Sequence, residues 1–450
     1  MVRVTDMTHG RPIRLILLFS LPLMLGSVFQ QLYTIVDTII IGRGVGMQAL
    51  ASIGAADWIN WLVLWGLQGF TQGFAILAAQ EFGAGAYDRL RRVLAMIVKL
   101  SCWFGIAVTI ISLLLVRPLL TLLHTDSAVF GGAQTYLYVQ FGGSLIIIAY
   151  NMAATVLRCL GDSRTPLFAI IAASFANIAL DLLFVMGFGW GIFGASFATV
   201  LAQLIAFLLC LRSLRRLPFV QLTKADWKTD PAILLHLCRL GIPTGLQMSM
   251  ITLGGMVLQS VLNGFGVVFV AGYTAANKLY GILESASVAF GYAMTAYMGQ
   301  NRGARNAARI DAGIRAVLVL SAEFTAAIVT AMLLAGKPLL GLFLSTEEAG
   351  AADALAVAYQ YLMVLMAFLF ALFMLQAYRS SLQGLGEMTV PTLSGFAEML
   401  MRMGAALVLP TFIGQSGVFF AEGAAWVCAA ALNLVWYYMR IGKIKREMLQ

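Results

Sequence analysis

Long apolar runs separated by short polar breaks repeat along the whole chain. Twelve of them, near 14–40, 54–79, 93–116, 133–156, 165–187, 191–211, 233–261, 275–298, 313–335, 356–379, 390–412 and 416–438, are long enough to cross a bilayer as helices, since a span takes about 20 mostly apolar residues. The pattern predicts an all-α polytopic membrane protein. The first run leads straight into further spans and is longer than the apolar core of a cleavable leader, so it is expected to remain as the first anchor.

Polar positions inside the runs are few and ordered. Between Leu15 and Arg43, the residues Gln30, Tyr33 and Asp37 fall at i, i+3 and i+7, which puts them on one face of a helix whose other faces are aliphatic. A carboxylate within a span is costly unless a cavity or a partner receives it. That face is expected to line an interior.

The breaks carry the positive charge. Of 29 Lys and Arg, all but Arg43, Lys99, Arg117, Lys278, Lys337 and Arg402 lie in the two terminal stretches or at the 2–3, 4–5, 6–7, 8–9 and 10–11 connections. Basic loops stay in the cytoplasm, so both termini are expected there, in a protein of the cytoplasmic membrane. The same rule accounts for the net charge of +9, and no nucleic-acid partner is expected. With 61% hydrophobic and 11% charged residues, the chain lies outside the balance of a soluble domain. The longest of these basic connections separates two expected six-helix bundles, 1–211 and 233–450, joined by a cytoplasmic linker at 212–232.

The two halves repeat. Pro22 aligns with Pro243, the Gln80–Gly85 stretch with Gln300–Arg305, Arg117-Pro118 with Lys337-Pro338, and Gly161, Asp162 and Pro166 with Gly386, Glu387 and Pro391. An even number of spans per half gives both repeats the same orientation, as in parallel-repeat transporters. Two bundles enclosing a central cleft are expected, with the Gly-acid-Pro segments as elbows where one helix stops and the next begins.

Intramembrane polar groups gather in the first half. Asn177 and Asp181 are one turn apart in span 5, and Thr199 is one turn beyond Ala195 in span 6. Counted from the outer span ends at about 1.5 Å per residue, Asp37, Asn177, Asp181 and Ala195 share a level, with Thr199 a turn deeper. Two carboxylates, an amide, a hydroxyl and a helix carbonyl suit a hard cation such as Na+; two adjacent carboxylates in a low dielectric equally suit a shared proton. Residue types alone leave both open. The plainer alternative has the two acids solvated separately or paired with bases, but Lys99 and Arg158 lie near inner span ends.

The Pro22…Gln30-x-x-Tyr33-x-x-x-Asp37…Gly42-Arg43 pattern, the Leu-Gly-Asp-Ser-Arg-Thr-Pro of 160–166, the Asn177-x-x-x-Asp181 pair and Thr199 together resemble the multidrug and toxin extrusion (MATE) family over nearly the whole chain. The resemblance implies an antiporter that exports amphipathic and often cationic organic compounds in exchange for Na+ or H+; a monomer without cofactors is expected. It implies that Asp37, Asn177, Asp181 and Thr199 hold the coupling ion, and that Gln30, Tyr33 and Asn151 line the substrate path. One branch of that family carries acids in spans 7 and 10. Here span 7 has Gln247 and the span 10 stretch FLFALFML has none.

The second half keeps other charges. Glu284, Glu323, Glu398, Arg402 and Glu422 fall inside spans; Glu398 and Arg402, one turn apart, read as an ion pair that Glu284 could join. The sharper reading makes Glu284 a second protonation site. In span 2, Trp61, Trp65, Gln68 and Gln72 follow helical spacing and suggest a cavity wall, whereas Trp58, Trp190 and Trp227 suit the membrane interface. Cysteines lack metal-like spacing, and no nucleophile motif or phosphate-binding loop appears, so an enzyme is not expected. The runner-up is a lipid-linked-precursor flippase, which would want a basic cavity; the polar set here is acidic and rich in amides. Expected partners are small organic molecules and membrane lipids.

Overall fold

The computed structural model describes residues 4–343 and 350–449, and among these it contains helices and connecting turns. Thirteen α-helices follow in order: α1 (Pro12–Gly44), α2 (Met47–Gly83), α3 (Tyr87–Leu122), α4 (Ser127–Gly142), α5 (Ser144–Cys159), α6 (Arg164–Asp181), α7 (Gly191–Arg215), α8 (Pro231–Asn263), α9 (Val267–Gly303), α10 (Ala307–Gly341), α11 (Ala351–Gly384), α12 (Thr389–Ile413) and α13 (Phe420–Leu449). Every apolar run of the sequence coincides with one of them, α4 and α5 together making one run. Ten helical segments are long and apolar enough to cross a membrane, and α4 with α5 makes an eleventh, bent by 50°. The remaining run, in α9, belongs to a helix 37 residues long. It falls short of the others only in composition, because Lys278, Glu284 and a polar Gln300–Gly303 end interrupt it.

The internal repeat is visible in the backbone. Helices α2 and α9 have the same length of 37 residues and begin after Gly46 and Gly266, both at positive φ (111° and 91°). Their ends also match: Gly85 has φ 69° and its counterpart Arg305 has φ 53°, so the second copy puts a side chain into a backbone region that favours glycine. At the elbows, Gly161 (φ 90°) and Gly386 (φ 73°) turn the chain into α6 and α12. Asp162 Oδ1 accepts from the backbone N–H of Arg164 and of Thr165, each at 3.0 Å, which caps α6.

Two irregularities break the symmetry of the halves. The bend between α4 and α5 sits at Gly142-Gly143-Ser144, where a Cβ on Gly143 would lie 2.5 Å from Val200 of α7; only glycine lets α7 come this close. Its counterpart α11 runs straight through. The second irregularity is a π-helical segment, Leu182–Gly187, that starts directly after Asp181. Such a turn widens the helix and is common beside functional groups.

Contacts group the chain into two compact units. One holds Pro22–Gly245 with the segment ending at Asp6, the other Met7–Leu21 with the chain from Leu246 onward. The divisions within α1 and α8 fall near the aligned Pro22 and Pro243. In the first unit, Thr5 N–H donates to Gly161 O at 3.1 Å, and the basic connection packs on α3, Lys99 Nζ donating to Trp227 O at 2.5 Å and to Thr229 Oγ1 at 2.9 Å. In the second unit, Met7 N–H donates to Gln300 Oε1 at 2.8 Å, Asn301 Nδ2 to Met7 O at 3.1 Å, and Arg309 to Gly10 O at 2.8 Å. These bonds tie the start of the chain to the α9–α10 turn.

Candidate functional site

In the first unit α1 and α6 bring Asp37 and Asp181 against each other, with Tyr33, one turn before Asp37, beside both. Asp181 and Asn177 are fully buried, with relative exposures of 0% and 1%. Oδ1 of Asp37, both carboxylate oxygens of Asp181 and both amide atoms of Asn177 are buried without a well-formed hydrogen bond to protein. Leaving such groups unpaired costs about 1–3 kcal/mol each. Apart from the Asn177 amide nitrogen, a donor, these atoms are acceptor oxygens that suit positive charge, and among the ion pairs of the described residues none reaches them.

An apolar plug lies one turn beyond the acids. Ile40, Ile41, Ala49, Val185 and Ala195 form a buried cluster to which Val36, Leu50, Ile53, Ile178 and Ile192 add. Ala195 therefore packs with residues one turn from Asp37 and Asp181. Thr199 turns its hydroxyl back on its own helix, donating to Ala195 O at 3.2 Å.

The expected cavity residues divide. Tyr33 joins the acids. Asn151 donates to Ile147 O at 2.9 Å within its own helix, and Gln30 is exposed on α1. On α2, Trp61 and Trp65 are 44% and 45% exposed while Gln68 and Gln72 are half-buried; Trp58 meets Trp61 edge-on with ring centroids 5.3 Å apart.

Sequence reasoning missed Asp57. This half-buried residue of α2 lies near enough to Asp37 to feel its charge and borders Tyr136 of α4. Asn60 Nδ2 donates to the Tyr136 hydroxyl at 3.3 Å, while its Oδ1 is buried without a partner. Asp57 opens the first turns of an apolar run, where a charge passes for a span boundary. Its spacing of i, i+4, i+8 with Trp61 and Trp65 was the available signal.

The second unit holds an ion network. Glu398 lies between two bases, with Arg379 Nη2 2.5 Å from Oε2 and Arg402 Nη2 3.0 Å from Oε1, and Arg402 also reaches Glu422 Oε2 at 2.8 Å. Arg402 Nη1 donates further to Ile251 O at 3.1 Å. Arg379 was the unforeseen member, since it sits at an expected span end. Glu284 stands beside this network, next to Glu422, Arg402, Glu398 and Tyr280, but in no ion pair. Two bases and two acids already balance, so Glu284 is the acid in excess. Span 7's Gln247 is fully buried and its Oε1 accepts from Gln383 Nε2 at 2.8 Å.

Comparison with known proteins places this architecture. The chain is 32% identical to the "Probable multidrug resistance protein YpnP" of Bacillus subtilis (strain 168) over 462 aligned positions, covering 100% of this chain and 99% of that protein. It is 24% identical to the "Probable multidrug resistance protein NorM" of Thermotoga maritima, covering 93% of this chain and 90% of that one. Among solved structures, a crystal structure of MATE in complex with MaL6 superposes with a TM-score of 0.91 at 24% identity, covering 99% of this chain and 100% of that one. An outward-facing multidrug resistance MATE family transporter of the MOP superfamily superposes with a TM-score of 0.90 at 24% identity, covering 99% of each. The MatE family profile matches residues 22–183 and 243–408, once in each half, and the chain is a multi-pass membrane protein that belongs to the MatE family.

Proposed function

We propose that this protein is a secondary antiporter that exports amphipathic organic cations in exchange for Na+ or H+, and that Asp37 and Asp181, with Asn177, hold the coupling ion. The observation that carries the reading is the set of buried, unpaired oxygens at Asp37, Asn177 and Asp181. A proton or a small cation satisfies them, and its removal restores the cost. The Thr199 hydroxyl is given to Ala195 O within its own helix. The names of the relatives, multidrug resistance and export proteins, support an organic-compound cargo. In the cytoplasmic membrane, with both termini inside, an ion entering from outside would neutralise the acids and favour release of the cargo. Reciprocity then makes cargo and ion weaken each other's binding, typically by about 1–3 kcal/mol. Glu284, the unbalanced acid of the second unit, is the candidate there for a second proton. No step of this cycle asks for a catalytic group or a cofactor.

The test is ethidium efflux from proteoliposomes under separately imposed Na+ and H+ gradients, wild type against Asp37→Asn. Gradient-driven efflux by wild type and none by a folded variant is expected, and the effective gradient names the ion. A variant that still couples removes Asp37 from the mechanism.

A further inference from the structure

Asp57 is a third acid near the Asp37–Asp181 pair, and it is set apart from the other two. It is close enough to Asp37 for their charges to interact. Yet among the described residues no three His, Cys, Asp or Glu side chains converge as they would around one metal ion. Asp57 thus forms no three-residue metal-ligand group with Asp37 and Asp181. It has no ion pair or hydrogen bond among the described residues either, although it is half-buried. A carboxylate left this way in a span needs a positive charge of its own.

Its surroundings suit an organic cation better than a bare ion. Tyr136 of α4 lies within reach of its charge, the α2 face continues through Trp61 and Trp65 at i+4 and i+8, and both tryptophans are nearly half exposed. A face headed by a carboxylate cannot turn to hydrocarbon without cost, so it is expected to border an aqueous path. Asn60, 4% exposed, adds an unpaired Oδ1 beside Tyr136. Aromatic rings attract an alkylammonium or a delocalised cation over their faces, and a carboxylate fixes its charge.

We infer that Asp57 receives the positive charge of the transported compound, a monovalent amphipathic cation whose aromatic body lies along Trp61 and Trp65. The inference rests on the antiporter reading and adds how cargo and ion compete. With Asp37 and Asp181 negative, their field adds to that of Asp57 and holds the cation. Once a coupling ion neutralises the pair, Asp57 acts alone and the cargo loosens.

The experiment measures binding of two fluorescent probes to the purified full chain: ethidium, which is cationic, and N-phenyl-1-naphthylamine, which is neutral. Asp57→Asn is expected to weaken ethidium about ten- to hundredfold, the range for removing a charged partner, while the neutral probe binds as before and Asp57→Glu restores ethidium. Equal ethidium affinity in wild type and Asp57→Asn overturns the inference, as does parallel loss of both probes. A wild type that binds the neutral probe but no ethidium overturns the cationic cargo itself. Should Asp57→Asn fail to fold, dicyclohexylcarbodiimide labelling of wild type, read by mass spectrometry, decides: ethidium protects Asp57, and labelling indifferent to ethidium overturns the assignment.

Discussion

Arg379 Nη2 of α11 donates to Glu398 Oε2 of α12 across 2.5 Å, in a place where both side chains are only 4% exposed. Arg402 holds the other oxygen of the same carboxylate. Removing one member of a buried pair leaves an uncompensated charge, at a cost of about 3–5 kcal/mol. Glu398→Gln is therefore expected to lower the thermal unfolding temperature of the purified protein sharply. An unchanged unfolding curve would show the two bases to be satisfied without it.

Glu284 is expected to behave in the opposite way. It adds a negative charge beside Glu422 and Glu398, which Arg402 and Arg379 already neutralise. Glu284→Gln should leave the unfolding temperature unchanged or raise it, and any loss of transport in this variant is then a loss of function rather than of fold. Destabilisation comparable to that of Glu398→Gln would place Glu284 inside the network.

Outside the spans, Asp226 closes a turn of the basic connection: its Oδ2 accepts from Thr223 N–H and from the Thr223 hydroxyl, both at 2.7 Å. Burial pushes this carboxyl up, but the Thr223 bonds and the charges of Arg91 and Arg92 outweigh it and hold it below its ordinary value. A lowered value means that the folded turn prefers the carboxylate. Its contribution is complete above the ordinary aspartate value of about 3.9 and is lost as pH falls below that. Hydrogen exchange in the connection should be slow and level at neutral pH and rise, relative to the intrinsic rate, once the pH drops below about 3.9. Asp226→Asn should show the faster exchange already at neutral pH.

Gly161 permits no side chain. Its φ is 90°, and a Cβ there would lie 2.1 Å from Thr5 O. Gly161→Ala is expected to cost about 1–3 kcal/mol, from backbone strain together with the lost approach of the N-terminal segment. A cysteine at position 5 would report it, becoming more reactive toward a water-soluble maleimide in the variant. Equal reactivity would mean that the elbow tolerates the change.

Much of this was readable in the residues, for a physical reason. An acid in a long apolar run is so costly that Asp37 and Asp181 stand out, and one helical turn links Asn177 to Asp181. The repeat was readable because prolines and turn glycines punctuate both halves at matching places, Gly161 and Gly386 both at positive φ and Arg305 replacing the glycine of Gly85. What stayed hidden depends on neighbours distant in sequence. Asp57 and Arg379 both sit where an apolar run begins or ends, and only packing shows that α2 and α11 carry them inward. Likewise, nothing in the composition near Leu182 announces the π-helical segment.

Met7 finds its partner Gln300 at a separation of 293 residues. At a synthesis rate of roughly 5–20 residues per second, the ribosome needs about 15–60 s to supply that partner. The earliest part of the chain to emerge is thus among the last to be finished. Until the α9–α10 turn appears, the backbone groups of Met7 and Gly10 must be satisfied by water, and a chain halted before that point would carry an undocked beginning.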